Sequence, residues 1–123
     1  MHHKSVIKMM NFQQQVKILH WQTTSYARHN AYGFIYDSLD DLIDTFTETC
    51  MGKYGRIELT DDISELKLKN MKDISINSYI NEFCEFLTDL TNEFDAEKDT
   101  DILNIRDEIL GAVNKLKYLL TLK

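Results

Sequence analysis

A chain of 123 residues with 43% hydrophobic content encloses one core, so a single domain over residues 1–123 is expected and two ordinary domains are excluded. The formal net charge of −6, with 20 acidic residues scattered among 14 basic ones, argues against direct nucleic-acid binding through phosphates. No apolar run approaches the roughly 20 residues that cross a bilayer, and no apolar segment follows the start. The expected protein is therefore soluble, unsecreted and without a membrane partner, resident in a cytoplasm or in a particle assembled there.

With no proline and only four glycines, little interrupts helix, and the expected fold class is all-α. The paired His2 and His3 beside the initiator methionine are set aside as native residues or a tag remnant. A first helix is predicted from an N-cap at Ser5 to Gln22, with Met9, Phe12, Val16 and Leu19 at seam spacing and Val6 and Met10 widening the seam. His20 falls at the edge of that seam. Thr23, Thr24 and Ser25 offer caps for a second helix over residues 25–51, which Gly52 and Gly55 are expected to stop. Steps of about 100° per residue put Tyr32, Ile35, Leu39, Leu42, Phe46 and Cys50 on its core stripe. The same steps put His29, Gly33, Asp37, Asp40, Asp44 and Glu48 on the other side.

Residues 53–73 lack a sustained period and read as a crossover with a short helix near 61–68. The third helix is predicted over 75–95, with Ile76, Tyr79, Ile80, Phe83, Phe86, Leu87, Leu90 and Phe94 inward, and the fourth over 100–121, with Ile102, Ile105, Ile109, Ala112, Leu116, Leu119 and Leu120 inward. Short links between helices 1 and 2 and between 3 and 4, with one long link between 2 and 3, are the order of a ferritin-like four-helix bundle. Cys50 and Cys84 have no Cys-x-x-Cys spacing and are expected as buried reduced thiols.

Imidazole and carboxylate on one helix face are ligand types for iron, zinc or manganese. A di-iron site inside such a bundle needs a Glu-x-x-His pair on each of two helices. No such pair occurs, and all four histidines lie within the first 29 residues. An oxidase of that kind is excluded. No nucleophile arrangement, phosphate loop or nucleotide fingerprint is present either.

Leu19-His20-Trp21, a short turn, His29, and then Asp44 and Glu48 at 15 and 19 residues beyond it together resemble the Dps family of mini-ferritins. The resemblance implies a ferritin-like bundle, a homo-oligomeric shell, and iron bound between two-fold-related subunits. His20, His29, Asp44 and Glu48 match the family's ligands, and Trp21 matches its tryptophan. Gly33 stands where the family has an aspartate, so Asp37 or Asp40 would have to supply the missing ligand. His29 lies about 22 Å from Asp44 along one helix and reaches such an ion only from another subunit. Weak ferroxidase activity, with iron or a similar divalent metal, is what this resemblance implies.

Over most of its length the chain also resembles ferritin-like proteins of tailed phages and large DNA viruses, through HWQTTSYARH at 20–29, Lys53 to Arg56, Asn104 to Glu108 and Tyr118 to Leu122. That resemblance implies a viral setting. The alternative expectation is a non-enzymatic structural or assembly component of a viral particle, with capsid or other virion proteins as partners. Trp21, Tyr26, Arg28, Asp41, Tyr54 and Arg56, along with Lys53 and Gly55, are candidate anchors between or within subunits.

Overall fold

The computed structural model describes residues 3–123. Among the described residues there are four α-helices, α1 (His3–Gln22), α2 (Tyr26–Tyr54), α3 (Ile76–Asp89) and α4 (Thr100–Leu119), with short 3-10 turns at Asp61–Ile63, Met71–Asp73 and Leu90–Glu93, and no strand. The expected all-α class is what the chain adopts. No helix among the described residues is long and apolar enough to cross a membrane.

α1 and α2 run antiparallel through the turn at residues 23–25, whose last residue, Ser25, accepts a hydrogen bond on its hydroxyl from the Arg28 amide and so caps α2. α2 lies between α1 and α4. Its far end meets the start of α4 through Lys53, and its beginning meets the end of α4, where Lys115 lies 4.5 Å from the Phe34 ring. α3 packs on α1 through rings, Phe12 stacking on Phe83 at 3.9 Å and on Tyr79 at 5.6 Å. Because Ser5 at the start of α1 meets Glu93 after α3, these two helices are antiparallel, and α3 is parallel to α2.

The core is one cluster drawn from all four helices, with Met9, Phe12, Leu19, Tyr32, Ile35, Phe46, Ile80, Leu87 and Ile109 all but inaccessible. Each such side chain contributes on the order of 1.5–3 kcal/mol on burial. The predicted seams hold, with exceptions. Met10, expected to widen the α1 seam, is 39% exposed, while Ile43, Leu103 and Val113 are buried beyond the predicted stripes. Cys50 is buried and Cys84 half-buried, and both are free thiols. Burial, with Asp99 and Asp101 nearby, pushes the Cys50 thiol up to about 11.

Boundaries depart from expectation for local reasons. Ser5 is not a cap: α1 has already begun, and its buried hydroxyl donates to Glu93 Oε2 at 3.1 Å. Gly52 does not stop α2, which continues to Tyr54 and ends at Gly55, whose φ of 95° suits a residue without Cβ. The helix expected near 61–68 is only the 3-10 turn Asp61–Ile63, and α3 gives way at Leu90 to a further 3-10 turn ending at Glu93.

Between α2 and α3 the chain returns along α1, held there by side-chain amides. Asn11 Oδ1 accepts from the Lys67 amide at 2.6 Å and its Nδ2 donates to the Lys67 carbonyl at 3.3 Å. Gln15 makes the same double bond to Lys69 at 2.8 and 2.9 Å. Gln22 accepts from the Met71 amide at 2.6 Å and donates to Asn70 Oδ1 at 2.9 Å. Four helical residues rise about 6 Å, and two extended residues advance about 6.6 Å, so amides one turn apart on α1 serve alternate residues of the returning chain. The Asn11 and Gln15 carboxamides each satisfy both backbone groups of a residue that has no strand partner, while Gln22 satisfies one backbone amide and one side-chain oxygen.

Gln15 is buried and Asn11 half-buried. Gln15→Ala is expected to lower unfolding free energy by about 1–3 kcal/mol, since it orphans a backbone donor and acceptor, and Asn11→Ala by about 0.5–1.5 kcal/mol. Urea denaturation followed by circular dichroism checks both values.

Candidate functional site

His20 and His29 are brought together where α1 ends and α2 begins. Nδ1 of His20 lies 2.6 Å from the His29 carbonyl oxygen, and Nδ1 of His29 lies 2.9 Å from the His20 carbonyl oxygen. A carbonyl only accepts, so both Nδ1 atoms carry hydrogen and donate. The rings stack with centroids 3.8 Å apart and planes 19° apart. This reciprocal clamp closes the turn. It also leaves Nε2 of each neutral ring with the lone pair, the arrangement usual for metal-bound imidazoles.

The two rings of one chain nevertheless cannot share an ion. A ring nitrogen binds a metal in the ring plane at about 2.0–2.1 Å, and near-parallel planes stacked this closely do not meet at such a point. Gly33 explains how the stack fits. A Cβ at position 33 would lie 3.1 Å from His20 Cε1 and 3.3 Å from its Nδ1, so the bare α-carbon makes room for the ring.

The acids of α2 lie elsewhere. Asp37, Asp40, Asp41, Asp44 and Glu48 are all exposed along the outer face. Asp40 accepts a hydrogen bond from Gln13 Nε2 at 3.3 Å, a link from α1 that no sequence pattern marks. Among the described residues, no group of three His, Cys, Asp or Glu side chains gathers closely enough to hold a metal ion. The expected ligand set is thus split within one chain into a histidine pair and a distant acidic column.

Of the expected anchors, Trp21 and Tyr26 are 66% and 78% exposed, and Lys17 lies 5.4 Å from the Trp21 ring. Arg28 is half-buried beside the buried Tyr32, whose phenol is pushed up by burial, the guanidinium acting in the opposite sense. Asp41 and Arg56 are exposed. Tyr54 works inside the chain, its hydroxyl donating to Asp99 Oδ1 at 2.6 Å.

Around Asp99 the end of α2 and the start of α4 become one network. Lys53 donates to Asp99 Oδ1 at 3.1 Å, to Asp101 Oδ1 at 2.7 Å and to the Lys98 carbonyl, while the Asp95 amide donates to Asp99 Oδ2 at 2.9 Å. The Tyr54 hydroxyl, the Asp95 amide and the Lys53 ammonium together hold the Asp99 carboxyl down at about 2. Arg106 acts similarly between α3 and α4. It is buried, and its Nη1 donates to the Leu87 carbonyl at 2.8 Å and to Thr91 Oγ1 at 3.0 Å. Its place on the buried face was hidden because a charged side chain interrupts the apolar stripe.

Two outcomes are expected from these contacts. Asp99 is depressed from an ordinary 3.8 to about 2 on folding, so its contribution is fully present above about 3.8 and is lost as pH falls through about 2. Stability of the native chain should therefore fall across that window, and Asp99→Asn should flatten the slope there, as read by denaturant midpoints at stepped pH. Gly33→Val should cost about 1–3 kcal/mol, because a branched side chain crowds a ring already held on both sides. Thermal denaturation beside Gly33→Ala, whose gain in helix propensity offsets part of the crowding, separates size from backbone effects.

No solved structure matches the chain significantly. A family model described as "Family of unknown function (DUF5856)" matches residues 20–120. The chain is 36% identical over 106 residues to the "Uncharacterized 14.6 kDa protein in mobD-ri intergenic region" of Enterobacteria phage T4, covering 85% of this chain and 75% of that one. With its histidine clamp, acidic column and Asp99 network all inside the matched span, this chain belongs to the DUF5856 family and has a phage-encoded relative.

Proposed function

We propose that the chain is a non-enzymatic helical interaction protein of phage origin, a ferritin-like bundle that assembles with other protein chains, copies of itself included, as a structural or assembly component of the particle. The observation that carries this reading is the use made of the most reactive residues. His20, His29, Lys53, Tyr54, Asp99 and Arg106 are engaged in bonds that lock one helix to another. What remains for a partner is surface: an acidic column on α2, exposed aromatic rings beside the first turn, and an acidic loop after α2.

A second reading has one observation in its favour. Donation from Nδ1 leaves Nε2 of His20 and His29 as ligand atoms, and Asp44 and Glu48 are exposed one turn apart. In that reading iron or a similar divalent ion sits between two-fold-related copies, one imidazole from one chain and Asp44 and Glu48 from the other, with Asp37 or Asp40 completing the set. The acids would bind the cation's charge and the imidazole would fix its position.

Native mass and metal content measured on the same purified sample separate the two. The interaction reading expects an oligomer without stoichiometric metal after exposure to iron(II), and an unchanged mass when His29→Gln is compared with the native chain. Stoichiometric iron lost in His29→Gln and in Asp44→Asn would establish the metal reading instead.

A further inference from the structure

The fold sorts charge to a degree the sequence does not display. Helix directions bring residues 13–40, 69–81 and 112–123 to one end of the bundle, as shown by Gln15 on Lys69, Gln22 on Met71, and Lys115 over Phe34. Seven of the 14 lysines and arginines fall there against three of the 20 acids, Asp73 together with Asp37 and Asp40, which lie level with that end because Asp40 is bonded to Gln13, so that end carries a formal +4 and the rest of the chain −10. The basic end also has an open groove between the start of α2 and the end of α4, lined by Tyr26, Phe34, Leu119 and Leu122 with Lys115 and Lys123. Tyr26 is 78% and Leu122 47% exposed.

At the opposite end, the chain leaving α2 forms the loop Glu58-Leu59-Thr60-Asp61-Asp62, fastened to the start of α1 by the bond from the Glu58 amide to His3 Nδ1 at 3.0 Å. Three of its five residues are acidic, and its one apolar side chain, Leu59, is 61% exposed. A leucine held in water between carboxylates is the complement of an apolar groove flanked by lysines. The loop and the groove of one chain lie at opposite ends, so neither satisfies the other.

We propose that the basic groove is the docking site for the Glu58–Asp62 loop of a second copy of this chain, with Leu59 as the anchor and Lys115 and Lys123 facing the loop's carboxylates. This rests on the reading of the protein as an interaction module and names its partner and contact. The contact is heterologous, head to tail, so it propagates into a ring or a filament and does not stop at a symmetric pair. Its charged component weakens with salt.

Sedimentation velocity tests it on the full chain. The native protein should show mass rising with concentration and falling as salt is raised from about 50 to about 500 mM. Leu59→Asp removes the anchor, and Lys115→Glu with Lys123→Glu reverses the groove. All three positions are exposed, so these variants should keep the native circular dichroism. Each variant alone should associate about tenfold or more weakly, and an equimolar mixture of the two should form a heterodimer that grows no further, since one intact groove and one intact loop remain. A monomeric native chain, an oligomer unmoved by either variant, or a mixture that stays monomeric overturns the proposal. So does a monomer whose basic end binds a fluorescent single-stranded oligonucleotide in a lysine-dependent way, which assigns that end to a polyanion. Metal content on the same sample keeps the outcomes apart: stoichiometric iron or a monomeric native chain defeats the interaction reading itself, whereas a metal-free oligomer unmoved by either variant defeats only this contact.

Discussion

The bundle depends on holding a long unpaired chain segment against a helix. The connection from α2 to α3 must travel back along the length of α1 before α3 can begin, and residues 64–70 form no regular element on the way. An unpaired backbone beside a helix loses hydrogen bonds to water without gaining any from a sheet. Asn11, Gln15 and Gln22 remove that cost by presenting amides to the passing chain, as a neighbouring strand would. Once residues 67–71 are fixed, α3 starts at the correct end and its rings meet Phe12. The apolar seam of α3 is productive only in that position.

The histidine clamp is the counterpart of this tether at the α1–α2 turn. Side-chain to carbonyl bonds in both directions fix the angle between two helices with only three residues between them. Gly33 belongs to the same device, because a side chain there would meet the His20 ring. The glycine at position 33 therefore has a structural role: a Cβ there would come within 3.1 Å of the His20 imidazole. A glycine that looks like a lost ligand in a motif is, in three dimensions, part of the packing of the residue it was expected to assist.

Helix number, direction and most of the core were legible, since apolar periodicity reports burial wherever packing decides which way a side chain faces. What escaped notice were polar residues whose partners come from far along the chain. Nothing local marks the Asp40 carboxylate or the Lys69 backbone that Gln13 and Gln15 meet. Lys53 and Tyr54 are candidate anchors in the sequence, but nothing local there marks Asp99, some 45 residues on, as their target. Arg106 failed for the converse reason, a guanidinium at a core position that is tolerated because the end of α3 supplies a carbonyl and a hydroxyl. Of the candidate site, the nearness of His20 to His29 was legible through their shared turn, and the separation of both from the acids followed from helix length.

Charge distribution decides which kind of self-association each reading requires. A metal shared between His29 of one chain and Asp44 and Glu48 of another needs a two-fold axis across the middle of α2, which sets Asp37, Asp40 and Asp41 of both chains against one another. Like charges about 5 Å apart at an effective dielectric near 20 repel by about 3 kcal/mol per pair, so that interface forms only if cations occupy it. Contact between the basic and acidic ends carries the opposite sign and needs no added ion. The two architectures also use different surfaces: the symmetric pair covers the outer face of α2, whereas the head-to-tail contact leaves that face exposed. An isologous pair saturates at two chains and a heterologous one does not. The acidic column is then either the seat of a cation or a barrier to copies of this chain meeting side by side, and a cation between the columns is what distinguishes the two.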